Sequence, residues 1–145
     1  MSQTPLTASV QLLNEKLRFS GSADNFPDIL LDYIPPLGEG SGYMPMQLLL
    51  ISLSACSASS ILTLLRRMGK TITACSVDAE GIRREEHPTA FRSISLTFRI
   101  ESPDLQVQEF TKAVQLSADT YCPVWAMLKG NVEITATLAG DTIGG

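Results

Sequence analysis

The hydrophobic pattern is dominated by one stretch, from Met44 to Gly69, which carries no charged residue between Met46 and Leu65. Leucine and isoleucine recur on every side of a helix drawn through it, and such a helix is buried all round, in a protein core or in a membrane. Pro45 suits the first turn of a helix, and a glycine is common where one ends. The pattern predicts a central helix of about 23 residues, on the order of 35 Å long.

A membrane span is the alternative interpretation of this stretch, because about 20 uncharged residues can cross a bilayer. Gln47 and five serines within it weigh against insertion, since polar side chains are costly there. We favour a helix inside a soluble domain, enclosed by sheet and by a second copy of itself in a homodimer. Small residues would let the second helix approach closely, namely Ser52, Ala55, Cys56 and Ser59.

Short alternating segments on both sides of the helix predict strands. Three strands come before it, at 6–13, 17–20 and 29–34, with polar turns typical of an antiparallel meander, and a Gly/Pro-rich loop at 35–42 follows. After it we expect strands at 71–80, 91–100 and 132–138, an amphipathic helix at 105–119 and a short helical turn at 124–128. Strands grouped around helices without strict alternation indicate an α+β class, here as a single domain over 1–145.

One predicted strand, 91–100, has a break in its pattern. Its apolar residues fall on even positions from Ile94 to Ile100, as expected for a half-buried strand, but Phe91 is odd. A second local signal is Pro123, which excludes the preceding Cys122 from the α region and ends the amphipathic helix.

Charge and cysteine content narrow the function classes. A formal net charge of −4 gives no electrostatic case for nucleic acid or an anionic membrane. The first residues lack a signal-peptide pattern, which favours a cytoplasmic protein. The three cysteines, Cys56, Cys75 and Cys122, stand far apart in sequence and far from the single His87, so we expect no metal site. Buried inert thiols and a redox-active pair both remain open, and Cys75 is interpreted as structural.

Three segments together resemble the OsmC/Ohr superfamily, the osmotically inducible and organic-hydroperoxide-resistance proteins. They are PMQLLLISLSAC at 45–56, RREEHPTAFRSISLTF at 83–98 and AVQLSADTYCPVWAML at 113–128. The generic OsmC-like branch is the most similar. The resemblance implies an intertwined homodimer in which two antiparallel sheets wrap around long central helices.

The same resemblance implies chemistry for two cysteines. Cys56 would attack an organic hydroperoxide and become a sulfenic acid, and Cys122 would condense with it to a disulfide. A small thiol or a lipoyl-type dithiol would then reduce the protein, and no cofactor is needed. A non-catalytic relative that binds a small molecule, or a redox sensor, is the alternative function.

The chain departs from the family where the thiolate should be stabilised. Ohr enzymes carry a glutamate that works with an arginine, and here Met46 and Gln47 occupy the corresponding positions. Arg18 lies in about the right strand for the arginine, and Glu39 is a candidate to replace the missing carboxylate. Further candidate cations lie in the second matching segment, namely Arg83, Arg84 and Arg92.

Overall fold

The computed structural model describes residues 4–140 of the 145-residue chain. It contains two compact units, one up to Leu49 and one from Leu50 onward. Their elements are mixed α and β and include two three-stranded sheets, which agrees with the predicted α+β class. The prediction that 1–145 form a single domain stays a prediction.

The first unit contains the predicted meander, but its first and third strands are shorter than expected and its second begins two residues later. β1 (Ser9–Leu12) pairs with β2 (Phe19–Ser22), which pairs with β3 (Ile29–Leu31), both antiparallel. Asn14 closes the first turn because its side-chain oxygen accepts from the backbone N–H groups of Lys16 and Arg18. Hydrogen bonds from an asparagine side chain to the backbone stabilise a turn, and the pairing of β1 with β2 ends at this turn.

The central helix, α1 (Pro45–Arg67), has the predicted bounds and both predicted end signals. Gly69 adopts φ +83°, a conformation that glycine takes without strain. This turn lets the backbone N–H of Lys70 bond to the carbonyl oxygen of Leu65, and that of Gly69 to Arg66. The pattern is a Schellman motif, which satisfies carbonyl groups that a helix end otherwise leaves unpaired.

Within one chain α1 is fully buried along one stripe only, and burial on every side, which we expect from enclosure in a homodimer, stays a prediction. The fully buried residues recur one turn apart, at Leu53, Ser57, Ile61 and Leu65. By length and composition α1 could cross a membrane, but the core helix of a soluble protein meets the same criteria. The stripe indicates a helix with one face against protein, because period-four burial marks such a face.

The second unit is built on a mixed sheet, not a wholly antiparallel one. β4 (Ala74–Arg83) and β5 (Phe91–Glu101) are antiparallel, whereas β6 (Glu133–Leu138) pairs with β5 in parallel. Helices separate β5 from β6 in the chain, and a crossover of that length returns the chain in the same direction. The prediction that both sheets are antiparallel is therefore wrong for the pairing of β5 with β6.

The core of this unit lies on one face of β5, where the even positions predicted to be apolar are almost fully buried. Phe98 from that face packs edge-to-face on Phe110 of α2 (Val107–Leu116), with ring centroids 5.3 Å apart. The predicted helix at 105–119 is shorter in the structure, because its last residues form one wider turn, the π-turn (Ser117–Tyr121). α3 (Pro123–Leu128) follows directly.

The break in the β5 pattern at Phe91 has a structural cause. Ile82 pairs with Ser93 but Arg83 pairs with Phe91, so Arg92 is skipped and forms a β-bulge. The extra residue turns Phe91 to the buried side, over Gly81. A Cβ on Gly81 would lie 2.4 Å from the Phe91 ring, which explains why glycine occupies that position.

Candidate active site

Cys56 and Cys122 come from different elements of the second unit. Cys56 lies in the middle of α1 and is half-buried, whereas Cys122 lies between the π-turn and α3 and is only 2% exposed. Both are free thiols. Cys122 has an extended backbone, with φ −83° and ψ 108°, as predicted from the proline that follows it.

The two thiols lie close enough for Cys122 to raise the pKa of the Cys56 thiol. In the first turn of α3, the Trp125 backbone N–H donates to the Cys122 sulfur at 3.4 Å, and the Val124 backbone N–H lowers the pKa of Cys56. The buried Ser57 hydroxyl lies 3.6 Å from the Cys122 sulfur. Backbone N–H groups can only donate, so they stabilise a sulfur that accepts, as a thiolate does.

Burial raises the pKa of the Cys56 thiol above its ordinary value, and the neighbouring Cys122 raises it further. The Val124 N–H opposes both effects in part. Arg83, Arg84 and Arg92 lie at the end of the hairpin formed by β4 and β5, and none of them contributes to the pKa of Cys56. The prediction that one of them activates Cys56 therefore gains no support, and the amide of Val124 is the stabilising group that sequence reasoning missed.

Arg18 and Glu39, chosen separately from the sequence, are ion-paired in the first unit. The Arg18 Nη2 lies 3.1 Å from Glu39 Oε1, and its Nε donates to Ser41 Oγ at 2.9 Å. A planar guanidinium held at two nitrogens keeps a defined orientation. The structure thus supplies an Arg–Glu pair without a glutamate at the start of α1.

Asp32 binds the backbone of Glu39 and Ser41, the two residues that contact Arg18, and was also missed by sequence reasoning. It is fully buried, and it accepts hydrogen bonds from the backbone N–H groups of Tyr33, Glu39 and Ser41 and from the Ser41 hydroxyl. These bonds, that of the Ser41 side chain above all, lower the pKa of Asp32 to about 2. The signal in the sequence was a lone carboxylate within the apolar strand ILLDYI at 29–34.

The other two candidates at the start of α1 have different surroundings. Gln47 Oε1 accepts from the backbone N–H of Met44 at 2.9 Å, half of a capping box. Its amide therefore caps the helix, whereas Met46 is half-buried with no polar group to offer. The roles predicted for these two residues, and for Arg18 and Glu39, in stabilising a thiolate or binding substrate stay predictions.

Cys75 lies outside this arrangement. It is half-buried on β4, and burial raises its pKa while Arg66 partly opposes the shift. Within residues 4–140, no three His, Cys, Asp or Glu side chains are grouped so as to hold a metal ion. The two cysteines that lie next to each other are Cys56 and Cys122.

Comparison with known proteins places this geometry in a family. The family model described as OsmC-like protein matches residues 38–137. Protein YhfA of Escherichia coli is 33% identical over 121 residues, which cover 83% of this chain and 88% of that protein.

Solved structures share the fold. An OsmC-like protein from Mycoplasma pneumoniae superposes with a TM-score of 0.80 at 22% identity, covering 95% of this chain and 98% of that one. An organic hydroperoxide resistance protein from Legionella pneumophila does so with a TM-score of 0.74 at 19% identity, covering 96% and 99%. The chain belongs to the OsmC-like protein family.

Proposed function

We propose that this protein is a thiol-dependent peroxidase that reduces organic hydroperoxides, with Cys56 as the attacking thiol and Cys122 as the resolving one. The proximity of the two thiols at the first turn of α3, where Cys122 raises the pKa of Cys56 and accepts from the Trp125 N–H, is the observation that supports this most directly. Proteins with the same fold include some described as organic hydroperoxide resistance proteins. Reduction of organic hydroperoxides by this chain would agree with the names of those proteins.

The proposed reaction has three balanced steps. The Cys56 thiolate attacks the outer peroxide oxygen, the O–O bond breaks, and the alkoxide takes a proton to leave as an alcohol. The Cys122 thiol then loses its proton and attacks the sulfenic sulfur of Cys56, and the displaced hydroxide takes up that proton and leaves as water as the disulfide forms. A thiol or lipoyl-type dithiol reduces this disulfide and is itself oxidised. We assign the reaction to the cytoplasm, where thiols are kept reduced.

A homodimer is part of the proposal, and uncovered apolar surface supports it. In one chain Val10 of β1 is 67% exposed and Ile51 of α1 is 50% exposed, together with Leu12 and Ile29. Exposed apolar residues that lie together mark an interaction site on a soluble protein, and Val10 and Ile29 line one apolar pocket within the first unit. A second copy of the chain would cover it.

The direct test is to treat the reduced protein with one equivalent of cumene hydroperoxide and analyse it by mass spectrometry. We expect a Cys56–Cys122 disulfide in the wild type and in Cys75→Ser, the matched control. Cys122→Ser should accumulate a sulfenic acid on Cys56 that dimedone traps, and Cys56→Ser should form neither. Retention of both wild-type thiols after prolonged exposure would remove the proposal.

The raised pKa of Cys56 favours a second candidate, a redox sensor, because a small thiolate fraction at neutral pH slows attack on a peroxide. Turnover separates the two functions. With excess dihydrolipoamide, a peroxidase consumes many equivalents of hydroperoxide, whereas a sensor forms the same disulfide but consumes about one. A non-catalytic binding protein would instead carry a ligand when isolated and would tolerate Cys56→Ser.

A further inference from the structure

The end of the β4–β5 hairpin forms a cleft that the thiol chemistry does not use. It has a volume of about 590 Å³ and is lined by Ile82, Arg83, Arg84, Glu85, Glu86 and Arg92. Small-molecule sites in proteins have volumes of roughly 300–1,000 Å³. The cleft is thus large enough for a metabolite and carries three guanidinium groups.

The position of Arg92 in this cleft is built into the fold. Arg92 is the bulged residue of β5, with no partner opposite it in the described register. Bulges re-aim a side chain and are common next to functional sites. This one is fixed by the buried Phe91 ring, which packs over Gly81 where no side chain fits.

Two of the three arginines, Arg83 and Arg84, are held in place by neutral acceptors. Arg83 donates from Nε to the Thr89 carbonyl oxygen at 2.7 Å and from Nη2 to the Thr89 hydroxyl. Arg84 donates from Nε to the Glu86 carbonyl oxygen at 3.1 Å. Neutral partners restrict the side chains without cancelling their charge, which lowers the entropic cost of binding an anion.

Neither carboxylate of the cleft neutralises these guanidinium groups. Across residues 4–140, no ion pair joins Arg83, Arg84 or Arg92 to an acidic side chain. Three cationic groups against two carboxylates leave the cleft net positive, in a chain whose net charge is −4. Guanidinium groups bind phosphate oxygens bidentately, and Glu85 and Glu86 can accept from hydroxyl or amine groups of the same ligand.

We propose that the hairpin cleft is a binding site for a small phosphate-bearing molecule, with Arg83, Arg84 and Arg92 on the phosphate. The two glutamates select against long polyanions, since they repel any phosphate beyond the first few. This site is independent of the thiol chemistry, and either proposal can fail without the other.

The test is calorimetric titration of the full chain with inorganic phosphate and with pyrophosphate, at constant low ionic strength set by chloride. We expect saturable binding of at least one probe, weakened at least tenfold by Arg92→Gln and by Arg83→Gln. Arg67→Gln, which removes an exposed arginine of α1 outside the cleft, is the matched control and should bind as the wild type does. Glu85→Gln with Glu86→Gln should tighten binding, because it removes the opposing charge.

Three outcomes would overturn the proposal. They are failure of both probes to saturate, unchanged affinity in Arg92→Gln and Arg83→Gln, and equal loss of affinity in Arg67→Gln. Thermal unfolding of each variant without ligand shows whether it folds. If Arg83→Gln does not fold because its bonds to Thr89 are lost, Arg92→Gln decides, because the Arg92 side chain makes no hydrogen bond within residues 4–140.

Discussion

The chemistry of the thiol pair depends on which groups donate to each sulfur. Cys122 is nearly fully buried and, besides the adjacent Cys56, has two hydrogen-bonding neighbours, the Trp125 N–H and the Ser57 hydroxyl. A thiolate can only accept, so the hydroxyl must donate when Cys122 ionises. Ser57 therefore acts as a positioning residue for the second step and not for the first.

Ser57→Ala tests this role. A hydrogen bond to a charged group contributes about 1.5–3 kcal/mol, and its loss should slow the attack of Cys122 on the Cys56 sulfenic acid by about tenfold or more. Sulfenic acid formation on Cys56 should change little. Stopped-flow mixing with cumene hydroperoxide, with dimedone trapping at timed intervals, measures the two steps separately.

The control for Ser57→Ala is Ser60→Ala, the same change on a half-buried serine of the same helix. We expect it to leave both steps at wild-type rates. An unchanged disulfide step in a folded Ser57→Ala protein, or equal slowing in Ser60→Ala, would contradict the assignment.

At the scale of single residues, the two cysteines could be predicted from the sequence, but the groups that contact their sulfur atoms could not. Cys56 and Cys122 were found through their residue type and the segments around them. Backbone N–H groups of Val124 and Trp125 leave no trace in a sequence, because every residue except proline has one. Ser57 did leave a trace, as a polar residue next to Cys56 in an apolar helix, but five serines share that stretch.

Among the elements, the loop after β3 is organised around a buried charge. Asp32 collects four hydrogen bonds, two of them from the backbone N–H groups of Glu39 and Ser41 at 3.2 Å each. Gly38 has no room for a side chain, since a Cβ there would lie 2.2 Å from the carboxylate. The loop that presents Glu39 to Arg18 thus depends on Asp32 being ionised.

Acid should loosen this loop. The pKa of Asp32 is lowered from 3.8 to about 2 in the folded chain, so ionisation favours the folded state. Its contribution is complete above about pH 4 and is lost as the pH falls towards 2. We expect the amide protection factors of Glu39 and Ser41, measured by NMR hydrogen exchange, to fall over that range.

Asp32→Asn should reduce these protection factors already at neutral pH, because an uncharged amide cannot accept four bonds as well as a carboxylate does. Glu80→Gln, at an exposed position of β4, should retain the wild-type profile. A wild type whose two amides stay equally protected from pH 4 to pH 2 would show that the carboxylate does not hold the loop.

The elements themselves followed from periodicity wherever one face is buried. The even positions of β5 and the ends of α1 were predicted from local pattern, and Phe91 was an exception to the alternation that did not by itself predict a bulge. The parallel pairing of β6 was not predictable in this way, since alternation fixes which face is buried and not which strand lies beside it. The π-turn likewise has no periodic signal.

For the whole molecule, the single chain leaves apolar positions of both units uncovered. On β1, Val10 and Leu12 share one strand face, and Gln11 lies on the other because side chains alternate. Burying a valine side chain stabilises by roughly 1.5 kcal/mol or more, and a two-fold symmetric interface counts each contact twice. A charge at Val10 should therefore oppose dimer formation more strongly than a charge one residue away.

Val10→Lys is the variant that tests the homodimer, with Gln11→Lys as its matched control. Wild type and control should have the mass of two 15.7 kDa chains in sedimentation equilibrium at micromolar concentration. In Val10→Lys the dissociation constant should rise by about a hundredfold or more, because roughly 3 kcal/mol is lost over the two copies. Circular dichroism shows whether each variant keeps its secondary structure. A monomeric wild type would contradict the homodimer, and equal dissociation of both variants would show that the Val10 face of β1 is not the interface.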